Sequence, residues 1–269
     1  MLTALYSAAT GMKAQEVNQD LIANNIANIN TTSFKKVKAN FQDLLYQRLA
    51  PSGAVDAESN RTPTETVVGV GVRLVNTQRD FSQGRLEPTG SFTDLAIDGP
   101  GFFQIQVPDG VGRGGYGYSR DGNFYIDANG QLVTSQGYKV QPNLTFPTDY
   151  LPDTVAVTAD GMVSVNTPGG GGAATQIGQI ELAFFTNPEG LQSLGGNLYI
   201  ETDASGSPTT GTPGTTALGT LVQKYLESSN VDLVDELVQM IKTQRAFEFN
   251  SQSIKTADEM LQVLSTLRR

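Results

Sequence analysis

Residues 229–250 read Ser229-Asn-Val-Asp-Leu-Val-Asp-Glu-Leu-Val-Gln-Met-Ile-Lys-Thr-Gln-Arg-Ala-Phe-Glu-Phe-Asn250. Val231, Val234, Leu237, Val238 and Ile241 recur at three- and four-residue intervals, the spacing that puts side chains on one face of an α-helix. The rhythm then lands on Arg245 and Glu248 and resumes at Ile254, Ala257, Leu261, Leu264 and Leu267. Ser229 or Asn230 is the expected N-cap, with Asp232 in the first turn where its charge complements the helix dipole. A helix from Ser229 to Leu267 spans about 58 Å at ~1.5 Å per residue. That is far longer than the ~12 residues of an average core helix, so partner helices are expected. The break at Arg245 and Glu248 excludes one uninterrupted two-stranded zipper. It suits a helix that meets different neighbours along its length.

Working outward, the other end of the chain carries a second helical pattern. Leu2, Leu5, Ala9, Met12, Leu21, Ile22 and Ile26 repeat at helical spacing up to about Asn28, with no proline between. Between the two ends the period changes to alternation, and Gly, Thr, Asn and Asp become common. Val67–Val75 and Phe102–Val107 read as strands. Phe124–Ile126, Asn129-Gly130 and Leu132–Val133 read as a tight hairpin. Val155–Val157 with Met162–Val165 reads as a second hairpin, and Glu181–Phe185 and Asn197–Ile200 as further strands. Gly169–Gly172 and Ser205–Gly214 read as flexible loops. Arg48–Thr66, polar and carrying Pro51 and Pro63, reads as an extended segment without structure of its own in a single copy. The fold class is therefore α+β, with long terminal helices packed as a coiled-coil-like pair around a β-rich antiparallel middle. The expected divisions are a helical segment at 1–45, an extended connection at 46–80, a β-rich domain at 81–220 and a helical segment at 221–269.

Composition narrows the chemistry. The 269 residues contain no Cys and no His, which removes thiolate nucleophiles, the commonest general base and the usual zinc ligands. Carboxylates remain, and Asp94, Asp98 and Asp121 are candidates by type for glycosidase-like chemistry. Asp127, Asn129 and Gly130 lack the remaining ligands of a calcium loop. Gly69–Gly71 and Gly99–Gly101 lack the context of a nucleotide loop. Catalytic, cofactor and metal sites are all expected to be absent. The net charge of −9 is concentrated in residues 51–220, which carry −10, against +2 in 1–50 and −1 in 221–269. A basic face for nucleic acid is missing. No apolar run reaches membrane-spanning length, and residues 1–9 lack the basic start of a signal peptide.

The runs Leu5-Tyr-Ser-Ala-Ala-Thr-Gly-Met-Lys-Ala-Gln15 and Ile22-Ala-Asn-Asn-Ile-Ala-Asn-Ile-Asn-Thr-Thr-Ser-Phe-Lys35 resemble the N-terminal signature of flagellar rod and hook proteins. Glu227–Asn250, continued by Ile254-Lys-Thr-Ala-Asp-Glu-Met-Leu261, resembles their C-terminal signature. Within that family, Val68–Arg73, Thr77–Gly90 and Asp94–Phe103 resemble the distal-rod branch. Proximal-rod and hook-type branches are the alternatives, the hook type usually longer by an outer domain. An export cap or adhesin sharing the terminal helices is a further reading. The resemblance implies a structural subunit, not an enzyme, that leaves through the flagellar export apparatus without a cleaved leader. It implies a helical homopolymer crossing the periplasm, with terminal helices inside and β domains outside, transmitting torque from motor to hook. Its implied neighbours are proximal rod proteins, the hook protein and the surrounding L and P rings.

For such a subunit the candidate site is a packing surface. Leu2, Leu5, Met12, Leu21 and Ile26 on the first helix, and Val234, Leu237, Val238, Ile241, Leu261 and Leu264 on the second, are expected to pack between subunits, the alternative being a hairpin within one chain. Asn24, Asn25 and Asn28 are candidates for fixing helix register, as a core Asn does in coiled coils, or else they mark the helix end, as Asn30 does. Lys35, Lys36 and Lys38 read as a solvated face or as contacts to an acidic neighbour.

Overall fold

The computed structural model describes residues 2–50, 64–108, 110–147, 151, 154–166, 174–215 and 217–267, and divides into two units. Most of the Arg48–Thr66 connection, and the Gly169–Gly172 loop, lie outside the described residues. The fold is α+β, as the change of period along the sequence indicates.

The first unit comprises residues 1–27, 37–79 and 232–269. Helix α1 (Leu2–Ala27) and helix α2 (Leu233–Leu267) supply its α component. Asp232 is the N-cap of α2, its Oδ1 accepting the Val234 and Asp235 backbone N–H groups at 2.8 and 3.3 Å. Neither Ser229 nor Asn230 caps the helix; both belong to the second unit. Four strands, β1 (Val37–Asp43), β2 (Tyr46–Ala50), β3 (Thr66–Gly69) and β4 (Val72–Arg79), pair as β1–β4 and β2–β3, antiparallel. The register continues from Asp43↔Val72 to Tyr46↔Gly69, bridged by a Leu44 N–H to Gly71 carbonyl bond of 2.9 Å. The single strand expected over Val67–Val75 is thus two strands. Gly71, at φ +125°, breaks it, and a Cβ there would collide with the Thr10 hydroxyl of α1.

The second unit comprises residues 28–36 and 80–231. Its strands are β5 (Leu86–Pro88), β6 (Leu95–Asp98), β7 (Phe102–Gln106), β8 (Tyr116–Ser119), β9 (Phe124–Ile126), β10 (Leu132–Thr134), β11 (Lys139–Val140) and β12 (Ala156–Val157). They continue with β13 (Met162–Val165), β14 (Thr175–Gln179), β15 (Leu182–Phe184), β16 (Gln192–Gly195), β17 (Leu198–Ile200), β18 (Thr209–Gly211), β19 (Thr220–Gln223) and β20 (Tyr225–Glu227). The main sheet runs β16-β17-β8-β7-β11-β10-β9, with β15 joining β7 and β18 joining β15. A smaller sheet runs β12-β13-β14, and β6–β19 and β5–β20 are separate pairs. All strand pairings among the described residues are antiparallel. Strand β18 lies inside the stretch read as the Ser205–Gly214 loop, where the Gly- and Ser-rich flanks mask a short edge strand.

The central strands are buried on both faces, so that Phe102 and Phe103, adjacent on β7, enter different clusters. Phe103, Phe124, Ile97, Val163 and Leu182 form the main core, with the Phe103 and Phe124 rings edge to face at 5.0 Å. A second cluster is aromatic: Phe102, Tyr118, Phe185 and Tyr199, with Tyr118 and Phe185 at 4.7 Å.

Candidate functional site

In the first unit the two helices run antiparallel, and, Ile22 apart, the buried side chains along their seam are small or polar. Asn18 Nδ2 donates to Thr243 Oγ1 at 3.0 Å, and Asn25 Nδ2 donates to Glu236 Oε2 at 3.4 Å. At Gly11 a Cβ would stand 2.9 Å from Asn250 Nδ2, so the missing side chain is the space that Asn250 fills. Thr243, Ala257, Ala8, Ala14, Ile22 and Asn25 are buried along this seam and the adjoining faces. Asn25 also clasps the start of β1, donating to the Val37 carbonyl and accepting from its N–H, both at 3.0 Å.

The large apolar side chains of α2 lie elsewhere. Val234, Leu237, Val238 and Ile241 are exposed, Val234 at 68% and Ile241 at 59%. Counted at ~100° per residue, this group stands opposite the Glu236–Thr243–Asn250 row. Leu261 and Leu264 are exposed for a different reason. Each step of seven along α1 is matched by a step of seven back along α2, so Ala257 stands level with Ala4, and Leu261 has no counterpart in α1. On α1, Leu5, Met12, Leu21 and Ile26 are half-buried; nothing is described of the Leu2 side chain. Of the three asparagines, Asn25 lies in the seam and Asn24 is exposed, while Asn28 belongs to the other unit, where it accepts from the Thr31 hydroxyl at 3.1 Å.

The second unit contains a buried ion cluster that the sequence reading missed. Lys35 and Glu227 side chains are 0% exposed and that of Arg120 is 4%. Lys35 Nζ donates to Glu227 Oε1 at 2.5 Å and to the Ser82 carbonyl at 2.8 Å. Arg120 Nε donates to Glu227 Oε2 at 2.8 Å, while its other nitrogens reach the Gly101 and Gly99 carbonyls at 2.9 and 3.1 Å. Gly84 N–H completes the carboxylate at 2.8 Å; a Cβ on Gly84 would lie 2.0 Å from the Ser228 carbonyl oxygen, so only glycine approaches this closely. Lys35 is therefore not part of a solvated lysine face. Burial alone would raise the Glu227 carboxyl, but Arg120 and Lys35 together hold it below its ordinary 4.5. Burial pulls the Lys35 ammonium below its ordinary 10.5, against the attraction of Glu227.

The residues around this cluster lace the loop 28–36 into the β unit. Ser33 donates its N–H to the Glu227 carbonyl at 2.7 Å and its hydroxyl to the Arg120 carbonyl at 2.8 Å. Thr32 Oγ1 and Asn197 Nδ2 donate to Asp121 at 3.1 and 3.3 Å. Burial pushes the Asp121 carboxyl above its ordinary 3.8. Asn230 accepts from the Lys36 N–H and donates to the Asp80 carbonyl, both at 2.8 Å. Lys36, Asp80 and Asn230 are at or next to the points where the chain passes to the first unit, so one carboxamide ties three of those segments together. A pairing of Lys35 with a residue 192 positions away leaves no local pattern from which to read it.

No group of acidic side chains that could hold a metal ion occurs among the described residues, and no helix there is long and apolar enough to cross a membrane. The family model "Flagella basal body rod protein" matches residues 5–35, "Flagellar hook protein FlgE/F/G D1 domain" matches 96–165, and "Flagellar basal body rod FlgEFG protein C-terminal" matches 222–267. The first and last of these matches hold Lys35 and Glu227. The "Flagellar basal-body rod protein FlgG" of Borreliella burgdorferi is 46% identical over 274 residues, covering all of both chains. That of Bacillus subtilis is 39% identical over 274 residues, again covering all of both. The "Flagellar hook protein FlgE" of Helicobacter mustelae is 42% identical over 141 residues, 52% of this chain but only 30% of that protein. Full-length agreement on one side and half-length agreement on the other separate the rod branch from the hook branch. The chain belongs to the flagellar basal-body rod protein FlgG family: it is a structural subunit of the distal rod of the flagellar driveshaft, and not an enzyme.

Proposed function

We propose that the chain self-assembles into a helical tube in which the outer face of α2 is buried against other copies, and that this tube carries torque from motor to hook. The observation that supports this most is the placement of Val234, Leu237, Val238 and Ile241. They form an apolar stripe on a helix whose inner face is already occupied by small and polar residues. Surface stripes of this kind mark interaction sites, and repeated heterologous contacts that do not close build a filament. The stripe favours packing between subunits over the alternative of a hairpin within one chain. The antiparallel seven-residue repeat between α1 and α2 supports a coiled-coil-like pairing.

The remaining parts of the reading follow from the family. The tube crosses the periplasm within the L and P rings, abuts proximal rod proteins at one end and the hook protein at the other, and is delivered by the flagellar export apparatus. The buried cluster at Lys35, Glu227 and Arg120 would serve torque by keeping the β unit from yielding where its chain segments leave it. Sedimentation of the full chain and of Ile241→Asp under polymerising conditions tests the assembly face. The reading expects large particles from the former and monomer from the latter. Equal sedimentation of the two would refute it.

A further inference from the structure

The α1–α2 seam repeats every seven residues on both helices. Gly11 faces Asn250, Asn18 faces Thr243 and Asn25 faces Glu236, each pair seven residues from the next. Two of these rungs are side-chain hydrogen bonds and the third is a side chain seated in the space left by a glycine. The arrangement is the reverse of an ordinary helical hairpin, in which the largest apolar side chains lie inside.

A seam of repeated rungs could be satisfied at more than one setting, because a slide of one heptad, about 10.5 Å at ~1.5 Å per residue, brings rung onto rung. Each slide recovers one native-like pair, Asn25–Thr243 or Asn18–Glu236, and gives up the rest of the ladder. In one direction Asn250 would meet Asn18, two side chains where only one fits beside Gly11. In the other, Glu236 would meet Asn18 and Asn25 would pass beyond the helical part of α2. Apolar contacts alone would distinguish these settings weakly, since dispersion has no direction. Hydrogen bonds to amides do, at a cost in stability, as a buried Asn does in coiled coils.

We propose that the ladder Gly11–Asn250, Asn18–Thr243 and Asn25–Glu236 is a register lock, which fixes the axial setting of α2 against α1. The lock deepens the reading that the outer face of α2 contacts other copies. A slip would carry Val234, Val238 and Ile241 by one heptad relative to α1, so every subunit must hold the same setting for a repeated contact to match.

The chain has no cysteine of its own, so paired cysteines report register directly in full-length monomer. Ala4→Cys with Ala257→Cys reports the native setting, and Ala4→Cys with Leu264→Cys reports a slide of one heptad. In the otherwise unchanged chain the first pair should oxidise at least tenfold faster than the second. Replacing the middle rung by Asn18→Leu and Thr243→Leu should bring the two rates within about threefold while the helix signal is kept. Retention of the tenfold preference in that background would overturn the lock. Failure of the 4/257 pair to cross-link in the unchanged chain would overturn the seam itself. Because the assay is run on monomer, neither outcome depends on whether the outer face of α2 drives assembly.

Discussion

Glu227→Gln is the most informative perturbation of the β unit. The cluster holds two cations, Lys35 and Arg120, against one carboxylate. Removing the negative charge leaves two buried positive groups facing an amide, whose NH2 must point at one of them as a second donor. Breaking a buried ion pair by removing one partner costs about 3–5 kcal/mol, and this site stands at the upper side of that range because both cations lose their counter-charge. With a urea dependence of about 2 kcal/mol per molar, the midpoint should fall by about 1.5–2.5 M. Lys35→Met gives the contrast. It leaves a neutral Arg120–Glu227 pair, loses charged hydrogen bonds worth about 1.5–3 kcal/mol and removes an ammonium whose burial was itself unfavourable. Its net cost should be about 1–2 kcal/mol. Near-ultraviolet circular dichroism is the assay, since the chain has no Trp and the packed Tyr118 and Tyr199 report on the β unit. A Lys35→Met loss equal to or greater than that of Glu227→Gln would refute the charge argument.

Three further expectations follow from the same geometry. Because Glu227 is held below its ordinary 4.5, it contributes stability that is full above that pH and is lost as pH falls through its folded value. The urea midpoint should therefore drop on acidification below about pH 4.5 and drop less steeply in Glu227→Gln, since Asp121, pushed upward, contributes with the opposite sign. Burial pushes the Tyr118 phenol up to about 12; an alkaline difference-spectrum titration should show one phenol ionising there, a step that Tyr118→Phe removes. Asp232→Ala should cost the first helical unit about 0.5–2 kcal/mol through its two lost N-cap bonds, seen as a lower melting temperature by far-ultraviolet circular dichroism.

The helices were legible because their apolar spacing is a local signal, and the 124–134 and 155–165 hairpins because tight turns carry their own residues. What spacing could not show is which copy covers a face. Val234 and Ile241 have the pattern of buried residues, yet within one chain α2 turns Glu236, Thr243 and Asn250 towards α1. Asn18 and Asn250 gave no apolar signal at all, and no local pattern announces that Gly11 leaves room for Asn250. Lys35 looked like one of three solvated lysines because its counter-ion, Glu227, is brought to it only by the fold. Asn230 looked like a helix cap for the same reason, while its amide is engaged with Lys36 and Asp80.

The central claim is that the outer face of α2 is covered by other copies in the assembled rod. A single Ile241→Cys in this cysteine-free chain measures that directly by its rate of maleimide labelling, compared between monomer and sedimented polymer. Fast labelling of the monomer and at least tenfold slower labelling of the polymer are the predicted result. Equal rates in the two states would place Ile241 outside the contact and contradict the account.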